Sequence, residues 1–229
     1  MKLYFDLDDT LYDRVQPFAR ACKQVFPHLL AHPVQEVYDT FQHYSEQVFG
    51  QMQNGEMSLQ DLHVYRCTKM CEHYGYVIDR TQALIFQEAY QSNQTKIELS
   101  QDMVNLLDAL VAKQVSIGVI TNGDAAHQRM KIKQLGLERW FKLENIFISG
   151  EVGIMKPNLE IFEMAGTGDD YLYVGDSYAN DVVGAKNAGW KCIWLKKKDV
   201  ASNEVKADYV VYNEQELCLS IRKLFALDM

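Results

Sequence analysis

Four short stretches carry the side chains able to do chemistry. Residues 1–6 form an apolar run that ends in Asp6-Leu7-Asp8-Asp9-Thr10, and a second run ends in Thr121-Asn122-Gly123. Lys156-Pro157 follows, then Gly175-Asp176, with Asn180-Asp181 about one helical turn further on. Asp6 and Asp8 are two residues apart, so on an extended segment both side chains face the same side. Carboxylates gathered at one point raise one another's pKa and cost energy unless a cation neutralises them, so the set predicts a metal ion. Each stretch alone also has a structural explanation. Asp8, Asp9 and Thr10 suit a turn, Asp124 and Asp176 or Ser177 suit helix N-caps, and Lys156 suits solvent. Their joint occurrence, in order and each at a strand end, favours chemistry.

The elements that must position these residues follow from the apolar pattern. Val115–Ile120, Asn145–Ser149, Tyr171–Gly175, Trp190–Leu195 and Asp208–Val211 are short, β-branched or aromatic, and read as strands. Amphipathic stretches at 100–113, 124–136, 157–165, 178–188 and 214–226 alternate with them. Strands alternating with helices predict an α/β fold, a doubly wound parallel sheet of Rossmann-like type. Ligands on such a sheet bind beyond the C-terminal ends of the strands, where the four stretches fall. Residues 15–92 differ: they hold no strand pattern and read as three or four helices. Pro17, Pro33 and Ser58 stand near helix starts, and the breaker cluster Gly50–Gly55 divides the segment. A block that long is a small inserted domain rather than a connection. The expected division is 1–14 with 93–229 as the α/β core, and 15–92 as an all-helical cap domain.

Composition limits the function classes. The chain has 229 residues, 48% of them apolar and 24% charged, which excludes wholesale disorder. Its 31 acidic and 23 basic residues give a net charge of −8, against the basic face a general nucleic-acid or anionic-membrane binder needs. The one basic run, Lys196-Lys197-Lys198, reads as a solvated loop or strand end, with anion binding as the alternative. No apolar run approaches the ~20 residues of a membrane span. Five Cys without framework spacing point to a reducing, cytoplasmic setting. A monomer or small homo-oligomer is expected.

Asp6–Leu11, Val119-Ile120-Thr121-Asn122-Gly123, Lys156-Pro157 and Gly175–Asp181 resemble the four ordered motifs of the haloacid dehalogenase-like superfamily of hydrolases. The similarity extends through Val182–Gly189 and spans the chain, with the helical insert in the place of the family's helical cap. Within the superfamily, dehalogenases are expected to lack the second motif-one Asp and the metal site; Asp8, Asp176 and Asp181 make this chain look like a phosphatase. The resemblance implies that Asp6 is the nucleophile and forms an aspartyl-phosphate. Asp8 would be the general acid and then the general base, beginning protonated. Mg²⁺ would be held by Asp6, Asp176 and the backbone carbonyl of Asp8, with Asp181 acting behind them or through water. Thr121, Lys156 and the backbone amide of Asn122 would bind the phosphoryl oxygens.

By the same resemblance the substrate is a small phosphorylated metabolite, a nucleoside 5′-monophosphate or a sugar phosphate, with a slight lean to nucleotides. A phosphosugar mutase or a non-catalytic phospholigand-binding protein on this scaffold are the alternatives. Asp9 stands where many relatives carry Gly, and the crossover Ile161–Asp170 is shorter than usual. In the helical block, His43, Tyr44, Gln47, Tyr65 and Arg66 are candidate specificity residues, although aromatics at helical spacing more often form core. His63, Cys67 and Cys71 at i, i+4, i+8 read as one buried face, since the outer two lie ~12 Å apart along a helix axis and cannot share a zinc ion.

Overall fold

The computed structural model describes residues 1–197 and 205–227; Lys198 of the basic run lies outside them. The chain folds as two compact units, 1–13 with 98–229, and 14–97. The second boundary lies beyond the expected 92/93, because the last helix of the insert, Arg80–Gln94, continues past it.

Among the described residues, the larger unit is built on six parallel strands. They are β1 (Lys2–Phe5), β2 (Ile117–Thr121), β3 (Ile146–Ile148), β4 (Tyr171–Gly175), β5 (Lys191–Leu195) and β6 (Tyr209–Val211), in the spatial order β3-β2-β1-β4-β5-β6. β2 and β4 are buried throughout, which is why they read as unbroken apolar runs rather than alternating ones. The strand order reverses between β1 and β4, and the crevice at such a switch point is where doubly wound sheets bind ligands. The ends of β2, β1 and β4 are therefore adjacent. Compared with the sequence expectation, β2 is shifted toward its C-terminus, so Thr121 is its last residue rather than a loop residue.

The shortened crossover before β4 has a specific packing solution. Its helix, Leu159–Ala165, ends at Gly166, whose φ of 142° lies outside the range of ordinary side chains. A Cβ at Gly166 would collide with the Tyr171 hydroxyl. The glycine thus lets Tyr171 lie over the loop, where its ring stacks on Trp190 at 4.5 Å between centroids. Tyr4 and Phe162 pack on the same indole, so aromatic area replaces the missing helical turns.

The smaller unit has four α-helices, α1 (Val15–Val25), α2 (Val34–Gln53), α3 (Leu59–His73) and α4 (Arg80–Gln94), and α5 (Gln101–Ala112) of the larger unit follows in sequence. Ser58 caps α3 by accepting from the Asp61 amide, and Asp79 with Gln82 forms a reciprocal capping box on α4. Phe18, Tyr38, Phe41, Phe86 and Tyr90 form the core, largely edge to face. Cys67 and Cys71 are fully buried in this core beside Cys22. No described helix is long and apolar enough to cross a membrane.

Candidate active site

The site is built from the strand ends upward. Asp6 is the first residue past β1, and its amide still donates to the Val174 carbonyl of β4, so the carboxylate is fixed at the sheet edge. The chain then turns back on itself: Leu11 N–H donates to the Leu7 carbonyl, and Asp8 bridges to Tyr12. Asp9, at φ 61°, occupies the left-handed region within this turn. That explains how Asp can stand where glycine is expected, since Asp tolerates this region better than most residues. At β4, Gly175 leads into a π-helical turn, Tyr178–Val182, followed by a short helix, Val183–Asn187, in place of the single helix expected over 178–188. The Val182 amide reaches back five residues to Ser177, and the wider turn brings Asp181 inward. A Cβ on Gly175 would collide with the Asp181 carboxylate, so only glycine allows this approach.

At the centre is the Lys156 ammonium, which is almost fully buried. It donates to Asp6 Oδ1 at 2.7 Å, Asp181 Oδ1 at 2.7 Å and the Tyr173 hydroxyl at 2.8 Å. An ammonium has three donors, and all three are engaged. Its expected contact with a phosphoryl oxygen therefore requires one of these bonds to be exchanged. The Asn122 side chain is engaged with the backbone of Lys156. It clamps Lys156 from both sides, Nδ2 donating to the Lys156 carbonyl and Oδ1 accepting from its amide. Asp181 Oδ2 accepts from the Ser177 amide, and the Asp176 carbonyl accepts from Trp194.

Asp6, Asp176 and Asp181 each offer a carboxylate oxygen within 4.8 Å of the others, and no other such group converges among the described residues. Burial, first of all, pushes the Asp6 carboxyl up to about 7; Lys156 opposes this, while Asp181 and Asp8 add to it. Burial works to lower the Lys156 pKa, but the charges of Asp181 and Asp6 outweigh it and the net shift is upward. One lysine among these carboxylates leaves the cluster negative. The donor set, all hard carboxylate oxygen, fits a divalent cation such as Mg²⁺.

Sequence reasoning missed three residues here. Tyr173, mid-strand on β4, reads as core, yet its hydroxyl accepts from Lys156 and donates to the Ile120 carbonyl. Gln128 and Lys131 read as polar surface of a helix, α6 (Ala125–Gln134), but both are buried. Gln128 donates to Thr121 Oγ1, and Lys131 ion-pairs with Asp8. Their i, i+3 spacing on a helix that starts just past the Thr-Asn-Gly stretch is the signal that points to them. Asp8 thus accepts at both oxygens, from Lys131, Gln128 and Tyr12. Among the candidate specificity residues of the helical unit, Arg66 bonds Gln87 and lies over the Phe41 ring, as part of that unit's packing.

Residues 3–195 match the family model described as haloacid dehalogenase-like hydrolase. Over 98 residues the chain is 42% identical to the pyrimidine 5′-nucleotidase YjjG of Escherichia coli, covering 40% of this chain and 42% of that protein. It is 26% identical to the pyrimidine 5′-nucleotidase PynA of Streptococcus pneumoniae, over 94% of this chain and 92% of that protein. Identity to the glyceraldehyde 3-phosphate phosphatase of Pyrococcus abyssi is also 26%, over 85% and 80% of the two chains. Among solved structures, the HAD-hydrolase YfnB from Bacillus subtilis bound to magnesium matches with a TM-score of 0.68 at 23% identity, covering 96% of this chain and 97% of that one.

Proposed function

We propose that this chain, which belongs to the haloacid dehalogenase-like hydrolases, is a magnesium-dependent phosphatase of small phosphomonoesters working through an aspartyl-phosphate. The observation that carries the reading is the convergence of Asp6, Asp176 and Asp181 around Lys156, with Asp8 retained two residues after Asp6. An Asp6 carboxylate oxygen attacks phosphorus, the ester P–O bond breaks, and Asp8, which takes up a proton from solvent before this step, gives that proton to the departing alkoxide. Asp8 then takes a proton from the incoming water, whose oxygen attacks phosphorus and releases Asp6 with inorganic phosphate. Thr121 and the Asn122 amide, at the end of β2, and Lys156 bind the phosphoryl oxygens. A magnesium ion held by Asp6, Asp176 and the Asp8 carbonyl, with Asp181 behind them, would supply the positive charge that lets Asp6 act as a carboxylate.

The substrate is a nucleoside 5′-monophosphate or a sugar phosphate. The pyrimidine 5′-nucleotidases among the relatives support the first, and the glyceraldehyde 3-phosphate phosphatase supports the second. The test is phosphate release by purified protein with magnesium, across nucleotides, sugar phosphates and p-nitrophenyl phosphate, with Asp6→Asn run beside it. Turnover that vanishes with chelator and in the variant is expected, and the best substrate names the class. Turnover that survives in Asp6→Asn would remove Asp6 from the mechanism.

A further inference from the structure

We propose that Lys131 and Gln128 are positioning residues that hold the Asp8 carboxyl in place for its proton transfers, an inference that rests on the phosphatase reading. Lys131 Nζ lies 2.7 and 2.9 Å from the two oxygens of Asp8. Gln128 Nε2 donates to Asp8 Oδ2 at 2.9 Å, and the Tyr12 hydroxyl to Oδ1 at 2.5 Å. Lys131 is only 4% exposed, a rare setting for a lysine unless it is paired, and its ion-pair partner is Asp8.

The local structure explains why these two residues reach Asp8. Asp124 caps α6 through the His127 amide, so the helix begins immediately beyond β2. Residues 128 and 131 then share one face over the strand ends. Gln128 shares its two amide hydrogens among Asp8 Oδ2, Thr121 Oγ1 and the Asn122 carbonyl. Turning the amide over would set its oxygen against two of these acceptors, so the orientation is fixed even though Gln128 Oε1 has no partner. Asp8 lies in a turn rather than a strand and needs such anchoring to stay within reach of a leaving group. The two α6 side chains tie it to the rigid end of β2.

The test separates positioning from structural support by leaving-group dependence. An alkoxide needs a proton to depart, whereas p-nitrophenolate does not. In Lys131→Met, kcat/KM on uridine 5′-monophosphate should fall about tenfold or more beyond its fall on p-nitrophenyl phosphate, and Lys131→Arg should recover most of the difference. Equal losses on both substrates, or none, would overturn the proposal. Thermal unfolding of Lys131→Met, Asp8→Asn and the double variant tests the pairing without turnover: the two shifts should not add, and additivity would refute the contact. A wild-type protein that releases no phosphate from any substrate would sink the phosphatase reading itself, a result distinct from either of these.

Discussion

The Tyr173 hydroxyl lies 2.8 Å from the Lys156 ammonium and donates in turn to the Ile120 carbonyl, also at 2.8 Å. It thereby links the middle of β4 to β2 and fills the one donor of Lys156 that faces no carboxylate. Removing the hydroxyl leaves a buried donor and a buried acceptor unpaired, and burial of a lone polar group costs about 1–3 kcal/mol. Tyr173→Phe should lower unfolding stability by that order, measured by urea titration. Unchanged stability would show that the hydroxyl is dispensable to the cluster.

For Asp6→Asn, activity and stability should move in opposite directions. Burial and neighbouring carboxylates disfavour a charge at Asp6, and without it Lys156 still faces Asp181 as a neutral pair. The variant should lose about 10⁴-fold or more in kcat, while its unfolding midpoint in metal-free buffer holds or rises. A midpoint that drops by several degrees would mean that Asp6 is a net stabiliser of the fold.

Gly175→Ala tests the inward turn of Asp181. The added methyl would collide with Oδ2 and Cγ of Asp181, so the loop or the carboxylate must move. Overpacking of this kind costs about 1–3 kcal/mol. We expect a loss of that size in unfolding free energy, together with weaker magnesium activation of turnover. Normal magnesium dependence would show that Asp181 can shift without consequence.

His63 gives the helical unit a pH response. Burial, with Arg66 adding to it, lowers its pKa from 6.5 to about 4 in the folded protein. The unfolded chain therefore binds the extra proton first, and stability is fully present above pH 6.5 and lost as pH falls toward 4. The ring is partly exposed, so solvent screening reduces the effect to about 1–2 kcal/mol. Denaturant melts of wild type and His63→Gln at pH 7 and pH 4.5 should show a smaller acid loss in the variant. Equal losses would assign the acid response to other groups.

By itself the sequence determined the architecture and the strand-end residues. Unbroken apolar runs such as Ile117–Thr121 and Tyr171–Gly175 have only one stable place, the buried middle of a parallel sheet, and polar residues ending them must then lie at its edge. Asp6, Thr121 and Asp176 were legible for that reason, because strand period and strand end are local properties of the chain. The tertiary structure alone decided what surrounds them. Tyr173 reads as core and Lys131 as surface, since a linear pattern records how polar a residue is and not which charge it meets across 123 positions of chain. The π-helical turn that brings in Asp181 is set by contact between Gly175 and that carboxylate, and the clamp of Asn122 on Lys156 by the meeting of two loops. Such contacts exist only once the sheet has brought distant segments together, because hydrogen bonds and ion pairs act over a few ångströms of space whatever the separation in sequence.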